Sequence, residues 1–274
     1  MLLSLACSSS SAGRRFTAVL LLAGLLHIWP RASAKAQYAG WEGRYLNFSL
    51  SGTRLFTHDL SLSPLVYEGF LGGLQLGYQD QLGPWQGGIK ITGAGGQLRP
   101  LAYHEQNQTL TLAGRAYFHL RYNVGPWGPV GVWAGLGQAS YWDYHQVAAY
   151  ANNAVNYTGL FSVGPSLGAQ WDFTLPLDKA QPYWGLSTDL FGGVGAQVLR
   201  PGYVSPFVAG QIATNEWRWH GQQQHWRARL SLCWLRNNGN QLRLSYVGNF
   251  FLIAQPNLVK NASHRLAIEA LLRL

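Results

Sequence analysis

From Thr109 to Val124 the chain alternates apolar and polar side chains with a period of two. Leu110, Leu112, Gly114, Ala116, Phe118, Leu120, Tyr122 and Val124 share one parity, and Thr109, Thr111, Ala113, Arg115, Tyr117, His119, Arg121 and Asn123 share the other. Successive side chains of a strand point to opposite faces, so the pattern predicts a strand with one apolar face and one polar face. Trp226, Ala228, Leu230, Leu232 and Trp234 repeat it against Arg227, Arg229, Ser231 and Cys233. So do Leu242, Leu244, Tyr246 and Phe250 against Gln241, Arg243, Ser245 and Asn249. The end of the sequence sets Leu266, Ile268, Ala270, Leu272 and Leu274 against Arg265, Ala267, Glu269 and Arg273.

Weaker runs of the same period cover 45–52, 67–78, 85–98, 130–142, 157–175 and 182–198. Together these runs predict an all-β chain of about ten antiparallel strands, within a range of eight to twelve, in which the last strand closes a barrel on the first. The connections alternate in length. Residues 79–84, 125–129, 176–181 and 237–240 form short turns, whereas 53–66, 99–108, 143–156, 199–225 and 252–262 form long loops. Gly-Pro-Trp-Gly-Pro at 125–129 and Asn-Asn-Gly-Asn at 237–240 supply the backbone angles that tight reversals need.

Composition decides which solvent the apolar parity meets. Only 11% of residues are charged, and aromatic residues reach 14%. A water-soluble barrel would carry many Lys and Glu on its outer parity, whereas here the polar parity is mainly Arg, Ser, Thr, Gln and Gly. A transmembrane barrel with an apolar exterior is therefore expected. In alternation, strand number and the rhythm of short and long connections, residues 38–274 resemble the small bacterial outer-membrane β-barrels. The resemblance implies outer-membrane lipids around the wall and insertion by the barrel-assembly machinery. Leu274 stands where that family often ends in Phe. Trp and Tyr at strand ends (Tyr67, Tyr78, Trp85, Tyr122, Trp142, Trp171, Trp184, Trp226) suit the aromatic girdles of such a barrel.

The N-terminal region reads as a secretory address. Arg14-Arg15 precede an apolar stretch from Phe16 to Trp29, and Ala32-Ser33-Ala34 and Ala34-Lys35-Ala36 offer small residues at the spacing that signal peptidase reads. A signal peptide over residues 1–36 and a barrel over 37–274 are expected. The formal charge of +9 shrinks once Arg14, Arg15, Arg31 and Lys35 are set aside, leaving sixteen basic against eleven acidic residues with no basic run. Nucleic acid is not an expected partner.

If the polar parity faces inward, the lumen gathers Lys90, Arg115, Arg121, Arg227, Arg229, Arg243, Arg265 and Arg273, with Asp172, Asp189 and Glu269 as its acids. Such an interior suits a small anionic solute. The competing expectation is that these arginines pair with the acids, carbonyls and hydroxyls and fill a bore that ten strands leave narrow.

Chemistry is sparse. Asp143-Tyr144-His145 is similar to the Asp-x-His of the omptin family, the ten-stranded outer-membrane proteases, but no Asp-x-Asp partner occurs in a predicted loop. The His–Ser pair two residues apart of outer-membrane phospholipases and lipid A deacylases is absent, since Ser263 and His264 are adjacent and point to opposite faces. No His or carboxylate spacing calls for a metal, and no pattern calls for a cofactor. The expectation is a non-enzymatic barrel, a small pore or a surface platform. The alternative is a hydrolase acting on lipid or peptide at the long-loop end through Asp143 and His145.

Overall fold

The computed structural model describes residues 42–59, 65–101, 109–147, 154–173, 183–199, 216–236, 238–254 and 258–274; the expected signal peptide lies outside them. The described residues form twelve antiparallel strands and no helix. These are β1 (Gly43–Asp59), β2 (Val66–Leu82), β3 (Trp85–Pro100), β4 (Thr109–Trp127), β5 (Val130–Val147), β6 (Ala154–Phe173), β7 (Tyr183–Gly193), β8 (Gly195–Leu199), β9 (Glu216–Trp219), β10 (Gln223–Leu235), β11 (Gln241–Ile253) and β12 (Val259–Arg273).

They make ten staves, because β7 and β8 both pair with β6 and differ only by the interruption at Val194, while β9 and β10 continue one another across His220–Gln222. Each stave is hydrogen-bonded to its neighbours in sequence, and β12 closes the barrel on β1, from Tyr45 opposite Arg273 to Asp59 opposite Val259. Closure leaves no free edge, which is what an apolar wall requires.

Side-chain parity assigns the faces. Leu242, Leu244, Tyr246 and Phe250 are exposed on the outer wall, as are Leu110, Leu112, Phe118, Leu120 and Tyr122, and Leu266, Ile268, Leu272 and Leu274. Their alternate neighbours Gln241, Arg243, Ser245, Thr109, Thr111, His119, Arg121, Arg265 and Glu269 are buried inside. This is the reverse of a water-soluble protein, whose apolar side chains gather inside. Trp85, Trp142 and Trp226 lie on the outer wall as expected, but Tyr67 points inward and is 1% exposed.

The strands run further than the alternation alone suggested. Residues 53–59 belong to β1, 143–147 to β5 and 259–262 to β12, so the wall stands tall at the long-loop end and the connections there shorten. At the opposite end, Gly83 (φ +55°) and Gly128 (φ +64°), each before a proline, take the left-handed backbone conformation that two-residue reversals need.

Only in part is the interior polar. Near the long-loop end, Tyr141, Leu160, Val198, Phe251, Ile253 and Val259 form one apolar cluster, and Leu55, Tyr67, Leu71, Leu98 and Ala113 form another. These residues occupy the inward parity of strands whose other inward positions are polar. They pack against one another inside the wall as a conventional core does.

Candidate functional site

Beneath the apolar layer, side chains from opposite staves meet across the bore. Glu269 accepts hydrogen bonds from Arg229 Nη2 at 3.0 Å on both oxygens, from Asn47 at 2.8 Å and from Lys90 Nζ at 3.3 Å. Arg229 also reaches Asp189 at 3.4 Å, and Asp189 in turn accepts from Arg121. Arg121 donates further to Ser166 Oγ at 2.8 Å, Gln86 Oε1 at 3.2 Å and the Tyr117 hydroxyl at 3.2 Å. Arg243 donates to Gln79 and Gln241. On the other side, Arg265 donates to Thr92 at 2.9 Å, Thr92 to Gln75, and Gln75 to Asn47, which returns the chain of bonds to Glu269.

Two carboxylates thus bind three cations in a site enclosed by the wall. An isolated buried charge is costly, and pairing with additional hydrogen bonds is the arrangement that makes such burial tolerable. Glycines on the same parity make the room. A Cβ at Gly168 would lie 2.5 Å from Arg121 Nη1, and one at Gly137 would lie 2.9 Å from the Phe191 ring. Between the filled positions lie cavities of about 30 and 20 Å³.

The structure thus brings together inside the barrel seven of the eight basic residues singled out above: Lys90, Arg115, Arg121, Arg227, Arg229, Arg243 and Arg265. Arg273 is the correction. It shares their parity but sits exposed at the short-turn end, against Gly239 and Gly43, because the stave ends there and no wall remains to enclose it.

Asp143 and His145 are also placed differently from expectation. Neither lies in a loop; both are on β5, point inward, and are 3% and 2% exposed. His145 Nε2 is 3.8 Å from Asp143 Oδ2, while its Nδ1 is 2.9 Å from Thr111 Oγ1. Asn261 donates to Asp143 at 3.0 Å and to the Tyr141 hydroxyl at 2.9 Å. Asp59, at the end of β1, is near enough to repel Asp143 and accepts from Asn156 at 2.7 Å. No spacing along the chain joins Asp59 to this group, because the link runs around the barrel through pairing of β1 with β12. Chemically, the cluster is a hydrogen-bonded polar island between the two apolar clusters.

On the outer wall, a depression of about 880 Å³ crosses β1 to β6 where Gly72, Gly95, Gly114 and Gly159 present no side chain between Leu50, Leu112, Trp142 and Tyr157. It is apolar, like the rest of that face.

No family model and no curated protein matches the sequence. Among solved structures, the outer membrane protease OmpT from Escherichia coli superposes with a TM-score of 0.52 at 8% identity, covering 85% of this chain and 97% of that one. Neisserial surface protein A matches with a TM-score of 0.34 at 10% identity over 85% of this chain and 100% of its own. The translocator domain of the autotransporter NalP from Neisseria meningitidis gives 0.35 at 9% identity over 96% and 99%. The superposition on OmpT and the closed antiparallel ladder give the chain the fold of the bacterial outer-membrane β-barrels. At these identities the likeness is one of fold, and the proteolysis named for OmpT belongs to that protein.

Proposed function

We propose that the chain is an integral outer-membrane barrel of non-enzymatic type, a structural or binding platform with a basic, filled lumen and its working surface at the long-loop end. The observation that carries this reading is the cross-lumen network of Glu269, Arg229, Asp189 and Arg121, topped by two apolar clusters. A conducting pore needs a continuous wet path, and side chains from facing staves occupy it. The apolar wall supports residence in lipid, since exposed Leu, Ile, Phe and Trp on nearly every stave would be a liability in water.

The hydrolase alternative finds less support. Among the described residues, Asp143 and His145 are enclosed and engaged by Asn261 and Thr111, which leaves neither side chain free at the surface.

Planar-bilayer recording of the purified full chain tests the reading. A silent bilayer is expected, and stable unitary steps in potassium chloride would overturn the filled-lumen platform in favour of a pore. Hydrolase assays on outer-membrane fractions carrying Asp143→Ala with His145→Ala should match the parent; lost activity would install the alternative.

A further inference from the structure

Among the lumen cations, Lys90, Arg121 and Arg229 share the carboxylates of Asp189 and Glu269. Arg115 of β4, Arg227 of β10 and Arg265 of β12 are different. All three line the cavity of about 30 Å³, together with Tyr117, Tyr141 and His225. None of the three has a carboxylate within salt-bridge distance among the described residues. Arg265 keeps one hydrogen bond, to Thr92, and its Nε has no acceptor. Arg227 packs its guanidinium 4.1 Å from the centre of the Tyr117 ring, and Arg115 lies 5.0 Å from that of Tyr141; Arg227 Nη1 and Arg115 Nε and Nη2 are buried without an acceptor.

Arginine does not escape burial by losing its proton in the way lysine does, because its guanidinium holds the proton too tightly. Aromatic faces offer such a cation partial compensation. They do not neutralise it, and here three cations, Arg115, Arg227 and Arg265, line one cavity. Arg227 and Arg265 are only 8% and 5% exposed, so water cannot screen the repulsion as it would at a surface. A second negative partner is what the arrangement calls for.

We infer that the cavity between Arg115, Arg227 and Arg265 is a binding site for a small monovalent anion of the halide class. Size selects the class. About 30 Å³ exceeds the ~10–15 Å³ that one water-sized occupant needs and falls far short of a sugar phosphate or a lipid headgroup. The donors come from three staves that are not neighbours, β4, β10 and β12, so the anion would tie the two sides of the barrel together. This site is independent of the platform reading, since a barrel that conducted would still present the same three donors.

The test is heat unfolding of the full chain in detergent, followed by tryptophan fluorescence, in sodium chloride, sodium bromide or sodium gluconate at equal ionic strength. Gluconate is too large for the cavity. The expected result is a midpoint several degrees higher in either halide, rising with the logarithm of halide concentration, as ligand linkage requires. Arg227→Gln and Arg265→Gln should each be insensitive to the choice of anion. A parent midpoint equal in all three salts, or an anion difference that persists in both variants, would overturn the site. Should the variants not fold, crystals of the parent grown in bromide decide: one anomalous peak between the three guanidinium groups supports the site, and peaks at the surface alone sink it.

Discussion

Asp189 shows how much one residue can be asked to hold inside this barrel. It receives Arg121, which is fully buried, and Arg229, which is nearly so. Asp189→Asn keeps the shape and removes the charge, leaving Arg121 with neutral partners only and Arg229 with Glu269 as its one carboxylate. Breaking a buried pair by removing one partner typically costs ~3–5 kcal/mol. The expected outcome is loss of stability of that order, read from urea unfolding of the chain reconstituted in vesicles. Reversing the logic, Gly168→Val should displace Arg121 from the same carboxylate, since even a Cβ there would meet Arg121 Nη1 at 2.5 Å. The abundance of glycine is visible in the composition. That inward glycines are sockets for the filling side chains is not, because socket and occupant come from different staves.

At the scale of the element, the break between β7 and β8 is the place where the ladder departs from regularity. Pro165 of β6 has no N–H to donate, and one extra residue is accommodated on the facing stave around Val194, whose own N–H bonds Val163 at 2.9 Å. Gly164 lies so close to Gly192 that a Cβ would sit 1.9 Å from its carbonyl oxygen. Gly164→Ala should therefore force the two staves apart and cost ~1–3 kcal/mol, the usual range for overpacking, measured in the same vesicle assay. β11 offers the complementary experiment on the wall. Leu244 is 48% exposed while Ser245 beside it is fully enclosed. In a bilayer, Leu244→Arg should cost ~2–4 kcal/mol near the midplane. In a water-soluble barrel an outward arginine at that position would be nearly neutral, so a negligible effect would contradict residence in the membrane.

At the scale of the whole molecule, a closed ladder of ten staves with a cross-braced interior has no edge at which unfolding can begin cheaply. The chain in an outer-membrane fraction should therefore resist detergent at room temperature and shift its electrophoretic mobility only after boiling. Absence from that fraction, or equal mobility before and after boiling, would count against a closed barrel in the outer membrane. The two ends of the barrel are built differently. The short-turn end carries tight reversals at Gly83 and Gly128, whereas the long-loop end carries the apolar clusters and the Asp59, Asp143 and His145 island.

The alternation of side chains carried, without help from three dimensions, the all-β reading and the division into two faces; composition set which face turns out, and seven of the eight basic residues on the other parity lie inside. Strand periodicity is a local property, and Leu110 to Tyr122 or Leu242 to Phe250 carry it whole. Tertiary structure alone decided what fills the bore. Leu55 falls in a stretch expected as a long loop, and Leu71 and Leu98 break the polar parity of their runs, yet pairing of β1, β2 and β3 makes them one cluster. Asp143 and His145 look like loop residues beside a turn, and become wall residues because Thr109 to Val147 pair in register for the full height of the hairpin. Which arginines find a carboxylate, and which three share a cavity instead, depends on contacts between staves well separated in sequence, with Arg229 and Glu269 40 positions apart and Arg121 and Asp189 68. That is the physical limit of a reading based on neighbours in sequence.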